Sequence, residues 1–154
     1  MELKNLKVYT VGHSNRSFEE FLRILRYYKI TAVIDVRSFP TSRKFPWFCR
    51  EYLAKELPKS GIKYIWLGKL LGGYRKGGYE EYMKSRSFKD GIEKLLEISS
   101  SHRVAIMCKE RLWFKCHRRH ISDVLKGLGV EVEHIIDIGK VYSHKRTRFL
   151  KGLK

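Results

Sequence analysis

Short apolar runs alternate with amphipathic stretches along this chain. Leu6-Lys7-Val8-Tyr9-Thr10-Val11 is β-rich and nearly continuous in apolar character, and it reads as a first strand. It stops at Gly12-His13-Ser14-Asn15. Ser17 is then placed as an N-cap with Glu20 completing a capping box. Phe18, Phe21, Leu22 and Leu25 follow at helical spacing, predicting a helix to about Tyr28. Ala32-Val33-Ile34-Asp35-Val36 predicts a second strand, apolar enough to be covered on both faces. A short helix is expected from about Arg50 to Leu57, stopped by Pro58. A third strand follows at Lys63-Tyr64-Ile65-Trp66-Leu67. Gly68 to Tyr79 is glycine-rich and reads as a long loop, either functional or disordered, with a helical turn from Tyr79 to Lys84. Phe88, Ile92, Leu95 and Leu96 mark one face of a helix to about Ile98. Val104 to Cys108 is a fourth strand. Ile121, Val124, Leu125 and Leu128 define the next helix, with Gly129 suited to end it. Glu131 to Ile136 is a fifth strand.

Strands alternating with helices predict an α/β fold. The expectation is a single three-layer domain of about five mostly parallel strands with helices on both faces. A flavodoxin-like strand order is the first guess. Residues 1–138 form that domain. Residues 139–154 carry six Lys or Arg and no acid, and read as a basic C-terminal tail.

Charge changes the picture most. Lys plus Arg number 33 against 16 Asp plus Glu, a formal net charge of +17 over 154 residues. Such a field concentrates polyanions, so a phosphorylated small molecule or a nucleic acid is the expected partner. The N-terminus lacks the apolar segment of a signal peptide and no run is long enough to span a membrane, so a cytoplasmic protein is expected, with no membrane partner. The chain has no Gln and only two Asn, a composition resembling that of thermophile proteins. Its cysteines, Cys49, Cys108 and Cys116, are odd in number and expected as reduced thiols, a Cys108–Cys116 disulfide being the alternative.

In a parallel sheet the strand C-termini share one edge, where α/β folds bind ligands. The first strand brings His13 and Ser14 there, the second Asp35, Arg37 and Ser38, and the fourth Cys108 and Glu110 followed by Cys116-His117-Arg118. A cysteine at a helix start gains thiolate character, and the free backbone N–H groups there favour an anion. His13, Asp35, Cys108, Glu110, Cys116 and His117 are therefore the candidate catalytic residues. Ser14, Arg37, Ser38 and Arg118 are candidate anion ligands. A phosphatase loop fails, because the residue six positions beyond Cys108 is Phe114 and not Arg. Zinc from Cys108, Cys116, His117 and His120 matches no common structural spacing, so neither a metal nor another cofactor is assigned.

Basic and aromatic residues interleave in two stretches beside this edge. Arg37 to Arg50 includes Arg43 and Lys44 among Phe39, Phe45, Trp47 and Phe48, and Tyr74-Arg75-Lys76 lies in the glycine-rich loop. Arg43, Lys44, Tyr74, Arg75 and Lys76 suit a single nucleic-acid strand. The combination of Gly12-His13-Ser14, Asp35-Val36-Arg37 with Pro40, Leu67-Gly68, and Cys108-x-Glu110 with Cys116-His117-Arg118 resembles the family called domain of unknown function 488, over about Val8 to Ile136. The resemblance implies a small cytoplasmic prokaryotic α/β protein and supports the site residues, but it implies no reaction. The loop from Lys109 to Lys115 is more basic and aromatic than the acidic, proline-containing loop that the resemblance leads one to expect. The expected function is an anion-binding, enzyme-like site for a phosphorylated or nucleotide-containing substrate, with hydrolase or transferase chemistry. A non-catalytic nucleic-acid-binding module using the basic, aromatic loops is the alternative.

Overall fold

The computed structural model describes residues 3–145. Six strands form one sheet: β1 Lys7–Gly12, β2 Ala32–Asp35, β3 Lys63–Trp66, β4 Val104–Cys108, β5 Glu131–Asp137 and β6 Lys140–Ser143. Their order is β3-β2-β4-β1-β5-β6. All neighbours are parallel except β5 and β6, which form an antiparallel hairpin. The expected α/β fold is present, with the sheet mostly parallel. The flavodoxin-like order is corrected, since there β1 lies between β2 and β3, whereas here β4 is inserted between β2 and β1. The chain beyond Gly139, expected as a tail, re-enters the sheet as β6 because a tight turn with Gly139 at φ +74° brings Lys140 back opposite Asp137. Residues 146–154 of the expected tail lie outside the described residues.

Six helices cover the sheet: α1 Phe18–Tyr27, α2 Arg50–Glu56, α3 Gly68–Leu71, α4 Tyr79–Tyr82, α5 Arg86–Ser99 and α6 Arg118–Gly127. The capping box of α1 forms as expected: Ser17 Oγ accepts from Glu20 N, and Ser17 N donates to the Glu20 carboxylate. Gly68, expected to begin a loop, begins a helical turn that buries Leu71. A Cβ on Gly68 would lie 1.9 Å from the Arg37 carbonyl oxygen, so this glycine permits close approach.

Strand alternation sorts the core into two layers. Tyr9, Val11, Val33, Ala105 and Met107 face α1 and α2, meeting Phe21, Leu25 and Leu53. Val8, Ile34, Val104, Ile106 and Val132 face α5 and α6, meeting Phe88, Leu95, Ile121 and Leu125. The connection after β1 and that after β2 thus lie on one face, while the connection after β4, which sits between them, lies on the other. The three strand ends splay their loops apart and open a crevice there. Among the described residues no helix is long and apolar enough to cross a membrane.

Candidate functional site

Register sets the floor of the crevice. Gly12 pairs beside Cys108, and Asp35 beside Met107. The parallel pairing runs past the strand ends, with His13 N donating to the Cys108 carbonyl (2.8 Å) and Ser14 N to that of Lys109 (2.9 Å). Gly12 is obligatory at this corner, because a Cβ there would stand 1.8 Å from the Glu110 carbonyl oxygen. Above the floor lies a pocket of about 800 Å³, reached by His13, Arg37, Ser38, Cys108, Glu110, Cys116 and His117. Arg43, Lys44 and Tyr74 line it as well. Ser14, Asp35, Arg75, Lys76 and Arg118 are not among its lining residues.

Asp35 and Arg37 form a buried, side-on pair. Asp35 Oδ1 accepts from Arg37 N (3.0 Å) and Nε (2.9 Å), and Oδ2 accepts from Arg37 Nη2 (2.7 Å) and from the Tyr64 hydroxyl. Arg37 Nη2 also donates to the Phe48 carbonyl (2.7 Å), and Nη1 faces His13 Nε2 at 3.3 Å. A guanidinium only donates, so His13 Nε2 accepts and His13 Nδ1 carries the hydrogen given to the Ser14 carbonyl (2.9 Å). Burial first, and then the Arg37 charge, lower the His13 pKa to about 4. His13 is therefore neutral at pH 7, stacked on Phe48 with ring centroids 4.3 Å apart. With Nε and Nη2 committed and one Nη1 hydrogen on His13, Arg37 retains a single N–H for a ligand. Ser38 Oγ donates to the Gly73 carbonyl at 2.6 Å.

The opposite wall holds the sulfurs. Cys108 Sγ and Cys116 Sγ lie 3.0 Å apart, and both are free cysteines. The 3-10 turn Trp113–Lys115 brings Cys116 back over the end of β4. Cys116 Sγ accepts from Arg118 N (3.4 Å) at the start of α6. The hydrogen bond from Cys108, ahead of the Arg118 charge, lowers the Cys116 pKa to about 6. Burial raises that of Cys108. Both shifts favour the negative charge on Cys116 and the proton on Cys108, which donates to it. His117 Nε2 donates to the Val36 carbonyl (2.8 Å), and burial lowers its pKa to about 4, leaving the lone pair on Nδ1. That nitrogen lies over Gly73, where a Cβ would approach it to 3.2 Å.

Arg118 lies beneath the pocket, 1% exposed. It donates to Thr10 Oγ1 (3.3 Å) and to the carbonyls of Glu110 (2.8 Å) and Arg111 (3.3 Å), while its Nε has no partner among the described residues. Its charge reaches the site through the sulfurs. Arg75 is committed elsewhere: it donates to the carbonyls of Gly72, Gly68 and Lys69 and stacks on Tyr82 at 3.9 Å. Ser14 is half-buried, with φ 51°. Lys76 is exposed.

Several groups around Arg118 have no obvious mark in the sequence. Thr10 Oγ1 meets His134 Nδ1 (2.6 Å), His134 Nε2 meets His144 Nδ1 (2.8 Å), and His144 Nε2 meets Asp123 Oδ1 (2.7 Å). Trp113 stacks on His134 at 4.5 Å and 6°. The signal available was a histidine at an inward-facing position between Val132 and Ile136. Among the described residues no group of three or more His, Cys, Asp or Glu side chains is placed to hold a metal ion.

Cations dominate the pocket wall. Arg37, Arg43, Lys44, Lys109 and Lys115 line it against Glu110. Phe39 and Tyr74 stand at the wall with rings 5.8 Å apart, 69% and 89% exposed. A family profile described as Domain of unknown function DUF488 matches residues 17–125, so the chain belongs to this family. Neither a curated protein nor a solved structure matches it.

Proposed function

We propose that the crevice of this DUF488 chain binds a phosphate-bearing, base-containing ligand, a nucleotide or the exposed end of a nucleic-acid strand, and presents it to Cys116. The observation that carries this reading is the imbalance of charge at the wall. Arg43 and Lys44 come from the loop after β2, and Lys109 and Lys115 from the loop after β4, so cations flank the opening from two sides. Phosphates are held between them, and the last free N–H of Arg37 adds a directed bond. A base stacks on Phe39 or Tyr74, whose exposure costs the free protein apolar hydration. Cys116 is the nucleophile of a hydrolase or transferase reaction, and His117 Nδ1 is the acceptor for a proton. His13 and Asp35 hold Arg37, and Glu110 is the acid at the wall.

The exposed Phe39 and Tyr74 favour one second reading, a binding module for single-stranded nucleic acid without chemistry. Fluorescence anisotropy with a labelled mononucleotide and a labelled single-stranded oligonucleotide, over a series of salt concentrations, tests the binding. Affinity is expected to fall with salt. The double change Arg43→Ala, Lys44→Ala is expected to weaken binding and to flatten the slope by about 0.7 for each phosphate no longer neutralised. Salt-insensitive binding, or binding unaltered by that change, sinks both readings. Cys116→Ser separates them, since a module without chemistry keeps all its activity without the thiol.

A further inference from the structure

In that reading Cys108 only supports the charge on Cys116, yet its sulfur lies 3.0 Å from the nucleophilic one, at the floor of an open pocket. A disulfide needs sulfurs about 2.05 Å apart, so bond formation requires an approach of about 1 Å between groups already in contact. We propose that Cys108 and Cys116 form a redox-active dithiol that exchanges with low-molecular-weight disulfides carrying anionic groups, Cys116 attacking and Cys108 resolving.

The roles follow from position. Cys116 is half-buried and takes a backbone N–H at the start of the ten-residue helix α6, where a negative sulfur is stabilised. Arg118, enclosed next to it and with no partner for its Nε among the described residues, supplies a fixed positive charge. Cys108 is buried at the end of β4, and among the described residues its sulfur reaches Cys116 and the Glu110 carbonyl. It keeps its proton until the attack has removed the negative charge that it donates to.

In the first step the Cys116 thiolate attacks one sulfur of the disulfide RS–SR. A Cys116–S–SR bond forms, the RS–SR bond breaks, and RS⁻ leaves. Cys108 then gives its proton to the departing thiolate and attacks Cys116 Sγ. The Cys108–Cys116 bond forms and a second RS⁻ leaves. The dithiol loses two electrons and the substrate disulfide gains them. The substrate class comes from the wall: Lys109, Lys115, Arg43 and Lys44 attract carboxylate-bearing disulfides and repel cationic ones. That preference rests on the anion reading above, whereas the exchange itself does not.

The whole chain, reduced and freed of reductant, is mixed with oxidised glutathione or with cystamine, quenched with acid, and mapped by mass spectrometry. Both probes are expected to yield a Cys108–Cys116 disulfide, oxidised glutathione at least tenfold faster at low salt, with the ratio falling as salt rises. Cys108→Ser is expected to trap glutathione on Cys116, and Cys116→Ser to abolish the adduct at this site, with Cys49 the internal comparison. Wild-type protein that leaves Cys108 and Cys116 reduced, or that reacts faster at Cys49, overturns the proposal. Equal rates for the two probes overturn the substrate class. Loss of nucleotide binding with exchange intact would instead count against the proposed function alone.

Discussion

Asp35→Asn isolates how Arg37 is held. Asp35 is fully buried and accepts three hydrogen bonds from Arg37 and one from Tyr64. Asparagine keeps the shape but removes the charge and replaces one acceptor oxygen with a donor facing other donors. Arg37 is then a buried cation without its counter-ion, a situation that costs about 3–5 kcal/mol. For a domain of this size the expected fall in Tm is roughly 6–20 °C. Thermal unfolding followed by circular dichroism, together with urea titration, measures the loss. Arg37→Met in the same background removes the stranded charge, so the double variant is expected to lose less than the two single losses combined. A loss below about 1 kcal/mol for Asp35→Asn, or strict additivity in the double variant, would refute the claim that Asp35 and not solvent neutralises Arg37.

Gly12→Ala drives a methyl against the Glu110 carbonyl, which also accepts from Arg118, so a loss of about 1–3 kcal/mol is expected together with slower alkylation of Cys116. Iodoacetamide alkylation of Cys116 against pH is expected to rise with a midpoint near 6, and Cys108→Ala to move that midpoint upward, because the largest cause of the lowered value is removed. The folded protein holds fewer protons on Cys116 than the unfolded chain between pH 6 and 9. Its contribution to stability is therefore present above pH 9 and lost as pH falls through 6, a dependence that Cys116→Ser should flatten in urea titrations. His13 and His117 titrate near 4 in the folded protein and 6.5 when unfolded, so the stability they contribute is present above 6.5 and is lost as pH drops from 6.5 towards 4. NMR titration showing either imidazole protonating above pH 6 would contradict this.

Much of the frame was legible because periodicity and caps are local. The apolar runs gave five strands to within a residue or two, and Ser17 with Glu20 fixed the start of α1. Convergence of His13, Arg37, Cys108, Cys116 and His117 on one pocket followed from parallel strands ending at one edge. Partnership was not legible. A sequence presents Arg37, Arg75 and Arg118 as equal cations. The fold gives the first to a carboxylate, the second to helix-end carbonyls, and encloses the third. Lys140–Ser143 has too little apolar pattern to announce a strand, and its place comes from pairing with β5 at the sheet edge. The strand order was equally hidden, since it depends on which crossover passes over which strand.

A buried arginine whose direct partners are a hydroxyl and carbonyls needs its charge answered. Two answers meet at Arg118. On one side lies the Cys116 sulfur, whose negative charge Arg118 favours. On the other side runs Thr10, His134, His144 and Asp123. Arg118 donates to Thr10. If Thr10 passes its own hydrogen to His134 Nδ1, then His134 Nε2 donates to His144 and His144 Nε2 to Asp123, and every link has one donor and one acceptor. Burial and the Arg118 charge lower the His134 pKa to about 2, which fits a ring that carries no charge. The chain of dipoles then points from a cation towards a carboxylate, the orientation in which each bond strengthens the next. The antiparallel strand β6 matters here, because the residue that follows it, His144, closes this chain onto α6. The hairpin at the sheet edge thereby supports the Arg118 charge that faces the Cys116 sulfur.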